Sequence, residues 1–190
     1  MPEGPEIETE GLRETIHEPP SGSLLRNIAL TTALFAALGA VAALRAGGTV
    51  NEALVLKTEA TQLQSKASDQ WAYYQAKGIK SAVQESLRTT WSAAGKPVPP
   101  DVEKKIQQYA VDQKEITKAA QDYEHERDAK SKEADELMER HHRYANSVAL
   151  IQVSIALSAV AALTRQRLIW MGSVALGVAG AGLFLLTAIK

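Results

Sequence analysis

Three apolar stretches frame a charged middle in which glycine is almost absent, and this alternation limits the folds open to the chain. They run over residues 28–44, 145–163 and 168–189. Each approaches or reaches the ~20 apolar residues that cross a ~30 Å hydrocarbon core. Lipid offers backbone groups no partner, so each stretch must satisfy its own by forming a helix. The pattern predicts an all-α fold: three transmembrane helices, with a long antiparallel coiled-coil hairpin inserted between the first and second. The expected segments are an acidic flexible tail over 1–23, a first transmembrane helix over 24–46 and an extramembrane hairpin over 49–143, turning near 95–100. A second transmembrane helix over 144–164 and a third over 168–189 follow.

Charge is segregated beneath a formal net charge of -1. Before Ser23, six glutamates stand against Arg13 alone, whereas the middle is nearly balanced. No basic block suits a nucleic-acid partner. The acidic leader argues against a cleaved signal peptide, which begins with a basic region. The chain has no cysteine, so disulfides and thiol chemistry are excluded.

After the first apolar stretch, Ala46-Gly47-Gly48 reads as a helix stop, and Thr49 with Glu52 has the spacing of a capping box. A new helix is expected from about Asn51 to Ala94, with its seam at Ala53, Leu56, Ala60, Leu63, Ala67, Trp71, Tyr74 and Gly78. The spacing alternates three and four apart from a small stutter between 67 and 71, and the seam resumes loosely through Val83, Leu87 and Trp91. The run from Gly95 to Pro100 breaks the helix, and Pro100 suits a first turn. The returning seam is Val102, Ile106, Tyr109, Gln113, Ile116, Ala120, Tyr123, Arg127, Lys130, Ala134, Leu137, His141 and Tyr144. With no Pro or Gly between Asp101 and Leu163, the second helix should pass into the second apolar stretch unbroken. Folding at Pro97 predicts Trp71 beside Tyr123, Ala67 beside Arg127 with Asp69 in reach of the guanidinium, Tyr74 beside Ala120 and Gly78 beside Ile116. Small residues recur at Ser154, Ser158 and Ala162, and at Ser173, Gly177 and Ala181, rows that let membrane helices pack closely.

The run Asn51-Glu52-Ala53-Leu54, then Ala67-Ser68-Asp69-Gln70-Trp71-Ala72-Tyr73-Tyr74-Gln75-Ala76-Lys77, resembles the bacterial domain-of-unknown-function family numbered 4337. The stretch Ile151-Gln152-Val153-Ser154-Ile155-Ala156-Leu157, followed by Ala161-Ala162-Leu163-Thr164-Arg165, fits the same family. The resemblance covers roughly Leu24 to Lys190. It implies an integral membrane protein of three spans with a long helical insertion, and it implies no activity.

Candidate interaction residues are Trp71, Tyr73, Tyr74 and Tyr123. Trp71 and Tyr74 share a helix face and suit seam packing, while Tyr73 points elsewhere. Arg140, His141, His142, Arg143, Arg165 and Arg167 flank the apolar stretches and are candidate contacts to lipid headgroups. His141 and His142 are adjacent and diverge on a helix, so no metal site is expected. Asn146 and Gln152 are uncharged amides in the second span, of the kind that hydrogen-bond neighbouring helices. No nucleophile–base set, phosphate loop or dinucleotide motif appears, so no catalytic residue, cofactor or enzyme activity is expected.

The resulting expectation is a multi-pass protein of the bacterial inner membrane whose partners are the lipid bilayer and further subunits. It would act as a scaffold or assembly subunit that self-associates or docks a partner through its hairpin. The alternative is a transport-associated or channel-like oligomer lined by Gln152, against which the basic Thr164–Arg167 loop would repel cations. Arg165 and Arg167 in the shortest loop place that loop and the N-terminus in the cytoplasm, and the hairpin in the periplasm.

Overall fold

The computed structural model describes residues 22–189, and these form three α-helices. Helix α1 is Ser23–Ala93, α2 is Pro100–Thr164 and α3 is Arg167–Ile189. The tail expected over 1–23 lies outside the described residues except for its last two, and Ser23 already begins α1. By their internal contacts the described residues divide into two units, one of those up to Thr49 with those from Glu139 onward, and one of Val50–Met138.

The break expected at Ala46-Gly47-Gly48 does not occur, because α1 runs through it. Glycine ends a helix by adopting left-handed backbone. Among the described residues the only glycine with positive φ is Gly95, at 66°. Thr49 does not cap a new helix. Its hydroxyl donates back to the carbonyls of Arg45 (3.2 Å) and Ala46 (2.9 Å), as a mid-helix threonine does. Two interior glycines cost ~1 kcal/mol each against alanine. The packed faces before and after them outweigh that cost.

In the unit Val50–Met138, two long helical segments pack against each other. Helix α1 ends in a Schellman motif: Gly95 N–H bonds Ser92 O at 3.0 Å, and Lys96 N–H bonds Trp91 O at 3.1 Å. Pro100 opens α2, and Asp101 and Glu103 in its first turn complement the helix dipole. On α1, Ala53, Leu56, Ala60, Leu63 and Ala67 are buried. Val102, Ile116, Ala120 and Ala134 are their counterparts on α2.

Beyond Gly78 the α1 seam departs from expectation. Val83, Leu87 and Trp91 are not in it: they are 54%, 43% and 37% exposed. Ser81, Gln84 and Arg88 are the more covered positions there. The three-four phase set by Trp71, Tyr74 and Gly78 runs straight on to Ser81. Bringing Val83 inward would require a further stutter.

In the other unit, all three helices contribute one buried row at the same alternation. The row on α2 is Ser147, Ile151, Ser154, Ser158 and Ala161, and that on α3 is Ser173, Gly177, Gly180, Phe184 and Thr187. Helix α1 supplies Ile28, Phe35, Ala42 and Ala46. Glycine is required where the backbones approach. A Cβ on Gly177 would collide with the Phe35 ring and stand 2.7 Å from Ser154 Oγ. One on Gly180 would stand 2.9 Å from Ile151 Cγ1. Each of the three helices is long and apolar enough to cross a membrane.

Candidate interaction surfaces

The aromatic run on α1 divides by the helical period. Trp71 and Tyr74 meet edge-to-face, with centroids 5.7 Å apart, on the side toward α2. The Trp71 indole N–H donates to Glu124 Oε1 at 2.8 Å. Trp71 therefore stands at the level of Tyr123, but its polar partner is the next residue and its aromatic partner is Tyr74. The Tyr123 ring carries the Lys66 ammonium, 5.7 Å from its centroid. Arg127 donates to Gln64 and Asp128 in place of Asp69. Gly78 lies beside Gln113, one turn short of Ile116.

Tyr73 faces away and is half exposed. Beside it, Lys77 Nζ sits 2.6 Å from Asp112 Oδ2 and 5.2 and 5.4 Å from the ring centroids of Tyr73 and Tyr109. The Asp112 carboxylate, then Tyr73, hold the Lys77 ammonium above its ordinary pKa of 10.5. Glu59 raises Lys130 in the same way through a 2.9 Å ion pair. Further along α1, Ile79, Val83, Leu87 and Trp91 recur every four residues and form one exposed apolar ridge. Gly78, Ala82, Ser86 and Thr90 make the adjoining row of small residues. Three of the ridge residues are ones expected in the seam, and Ile79, exposed at 69%, marks the face they share.

The basic flank residues separate too. His141 is half-buried, and its Nδ1 lies 2.9 Å from Ala46 O, which ties α2 to α1. His142 and Arg140 are exposed. Arg143 is exposed and paired to Glu139 at 2.6 Å. Arg165 and Arg167 are exposed at the α2–α3 turn, where Arg165 takes a left-handed φ of 52°. Among the described residues no cluster of His, Asp or Glu has the makings of a metal site. A shallow groove of about 250 Å³ between Lys57, Gln64, Arg127 and Ser131 has its cations matched by Asp135 and Asp128.

Residues 24–190 match the family described as "Domain of unknown function (DUF4337)". The chain belongs to the DUF4337 family. No curated protein and no solved structure matches it.

In this DUF4337 chain the most deeply buried polar groups lie inside the apolar unit, in the rows expected only to be small. Ser154 Oγ donates to Ser173 O at 2.8 Å, and Ser173 Oγ donates to Ser154 O at 2.9 Å. Ser158 Oγ is 2.6 Å from Ser173 Oγ. The four-residue spacing of Ser154 and Ser158 was the available signal. The Trp170 indole N–H adds a bond from α3 to Thr31 of α1 at 3.2 Å. These groups satisfy one another and offer nothing to a ligand. Asn146 and Gln152, by contrast, are exposed on the outer face of α2.

Proposed function

We propose that this chain is a membrane-anchored helical scaffold that crosses the bacterial inner membrane three times and self-associates, or docks a partner, through its hairpin. One observation carries the reading: the ridge Ile79, Val83, Leu87 and Trp91 faces outward while the polar positions of the same segment face α2. An exposed apolar face on a charged helical hairpin marks a protein contact. Tyr73 extends it at half exposure. The membrane part rests on three helices of sufficient length and apolarity, and on the aliphatic exterior of their unit, including Leu34, Val178 and Leu186. Arg165 and Arg167 in the short turn favour its cytoplasmic placement, which puts the hairpin in the periplasm.

Native mass spectrometry in mild detergent tests the scaffold. The wild-type chain should appear as an oligomer or with a bound protein. Leu87→Glu and Tyr73→Glu should weaken that assembly, because each buries an unpaired charge at the contact. A wild-type chain that is monomeric at every concentration, with no co-purifying protein, overturns the reading. Orientation is tested by labelling single cysteines at Ser92 and Gln166 in intact cells. Labelling of the Gln166 position from outside, with Ser92 protected, reverses it.

A further inference from the structure

The turn of α1 at Gly47-Gly48 is helical, yet nothing around it calls for glycine. A Cβ on either residue would meet nothing within 4 Å, and neither residue has a positive φ. Close packing selects glycine at Gly177, and left-handed backbone selects it at Gly95. Neither reason applies here. What remains is the looseness that glycine gives a helix.

Opening α1 at these two residues would break the bonds from the N–H groups of Gly48 to Asn51 to the carbonyls of Leu44 to Gly47. Among these eight residues only Ala46 is buried, so water can serve the others. A buried carbonyl left without a partner would hold the turn shut. Ala46 has a second donor, the Nδ1–H of His141 on α2, at 2.9 Å. Both residues belong to the unit that ends at Thr49, so this bond persists when the turn after Ala46 opens.

The same turn is already strained in its bonding. Thr49 Oγ1 also donates to the carbonyls of Ala46 and Arg45, the back-bonding that bends helices. Paired small residues and a side chain set into the backbone ladder are two further sources of a bend, and all three coincide here. Helix α2 has no Gly or Pro between Asp101 and Leu163, so it carries no matching weak turn.

We propose that Gly47-Gly48 is a hinge built into α1, and that His141 holds the Ala46 carbonyl while the turn is open. The hinge lets α1 change direction between its apolar stretch and its seam segment without leaving a buried polar group unpaired.

Amide hydrogen exchange of the full chain in mild detergent tests the hinge. Exchange over Ala53–Ala60 is the internal reference, and each effect is read as a ratio to it. In the wild type, Gly48 to Asn51 should exchange faster than that reference, while Glu139 to Ala145 of α2 stay protected. Gly47→Ala combined with Gly48→Ala should slow the fast patch about thirtyfold, the compounded effect of two glycines. Both alanines fit the space, so the variant should fold as the wild type does.

His141→Phe decides the role of the histidine. If His141 serves the open turn, its loss should slow exchange at Gly48 to Asn51 about fivefold or more, because opening then strands the Ala46 carbonyl. A mere tie between α1 and α2 would give faster exchange instead. His141→Asn keeps a donor and should stay closer to the wild type. Protection at Gly48 to Asn51 equal to the reference overturns the hinge, and so does a double alanine variant with unchanged exchange. A His141→Phe variant that exchanges no slower than the wild type overturns the part given to His141.

Discussion

Lys77 Nζ lies 2.6 Å from Asp112 Oδ2, across the two helices of the hairpin, at the point where the α1 seam turns from apolar to polar. Both side chains are largely covered, at 15% and 25% exposure. The pair therefore differs from the solvent-facing Arg88–Glu85 pair, which is 40% and 48% exposed. A double-mutant cycle on Lys77 and Asp112, read by denaturation of the full chain in detergent, should give the larger coupling. Equal couplings would place Lys77 among ordinary surface lysines.

The same pair gives the hairpin an alkaline limit. Asp112 and Tyr73 raise the folded-state pKa of Lys77 above 10.5. The folded state thus holds the proton more tightly than the unfolded one, so the contribution is complete below the unfolded value. It is lost as pH rises through the raised pKa. Hairpin stability measured by circular dichroism should fall above about pH 10.4. Lys77→Met should flatten part of that fall, and an unchanged slope would remove Lys77 as its source.

Gly177 should tolerate no side chain. A Cβ there meets Phe35 and Ser154 Oγ at once, from two different helices. Gly177→Ala should cost ~1–3 kcal/mol through overpacking. The control is Gly172→Ala, where a Cβ meets nothing within 4 Å. Thermal unfolding in detergent should rank the two far apart.

Trp71→Phe keeps the edge-to-face contact with Tyr74 and deletes the 2.8 Å bond to Glu124. The expected loss is ~1.5–3 kcal/mol, the range for a hydrogen bond to a charged group. Pairing the change with Glu124→Gln should recover little. A fully additive double variant would show that the indole bond contributes nothing.

Much of the fold is legible in the sequence, and the exceptions have physical causes. The α2 seam, from Val102 to Tyr144, is covered at every expected position, because nothing between Asp101 and Leu163 interrupts the period. The loop is legible from Gly95 and the prolines, which leave the chain few backbone choices. The Gly47-Gly48 pair misled because glycine permits a helix end without requiring one. Val83, Leu87 and Trp91 misled because apolar character was equated with the seam, whereas the phase of Trp71 and Tyr74 decides which face turns inward. The serine cluster was half legible: its spacing showed close packing, but reciprocal bonds between Ser154 and Ser173 depend on the rotation of α3, which no periodicity states.

Arg165 holds a left-handed φ of 52° where glycine is the usual occupant. Arg165→Gly should raise the unfolding midpoint by the equivalent of ~1 kcal/mol. A lower midpoint would show that the arginine side chain contributes more than its backbone strain costs.

Only Arg165 and Gln166 separate α2 from α3, and that brevity bears on how the chain is made. At about 5–20 residues per second, α3 leaves the ribosome within a few seconds of α2. Until it does, Ser154 and Ser158 lack Ser173. The two helices would then reach the bilayer as one insertion unit, with α3 deciding whether α2 stays. In released chains truncated before Ser173, a single cysteine at Val153 should react with a membrane-impermeant thiol reagent, and in the full chain it should not. If α2 integrates fully in the shorter chains, the insertion is sequential and the turn plays no part in it.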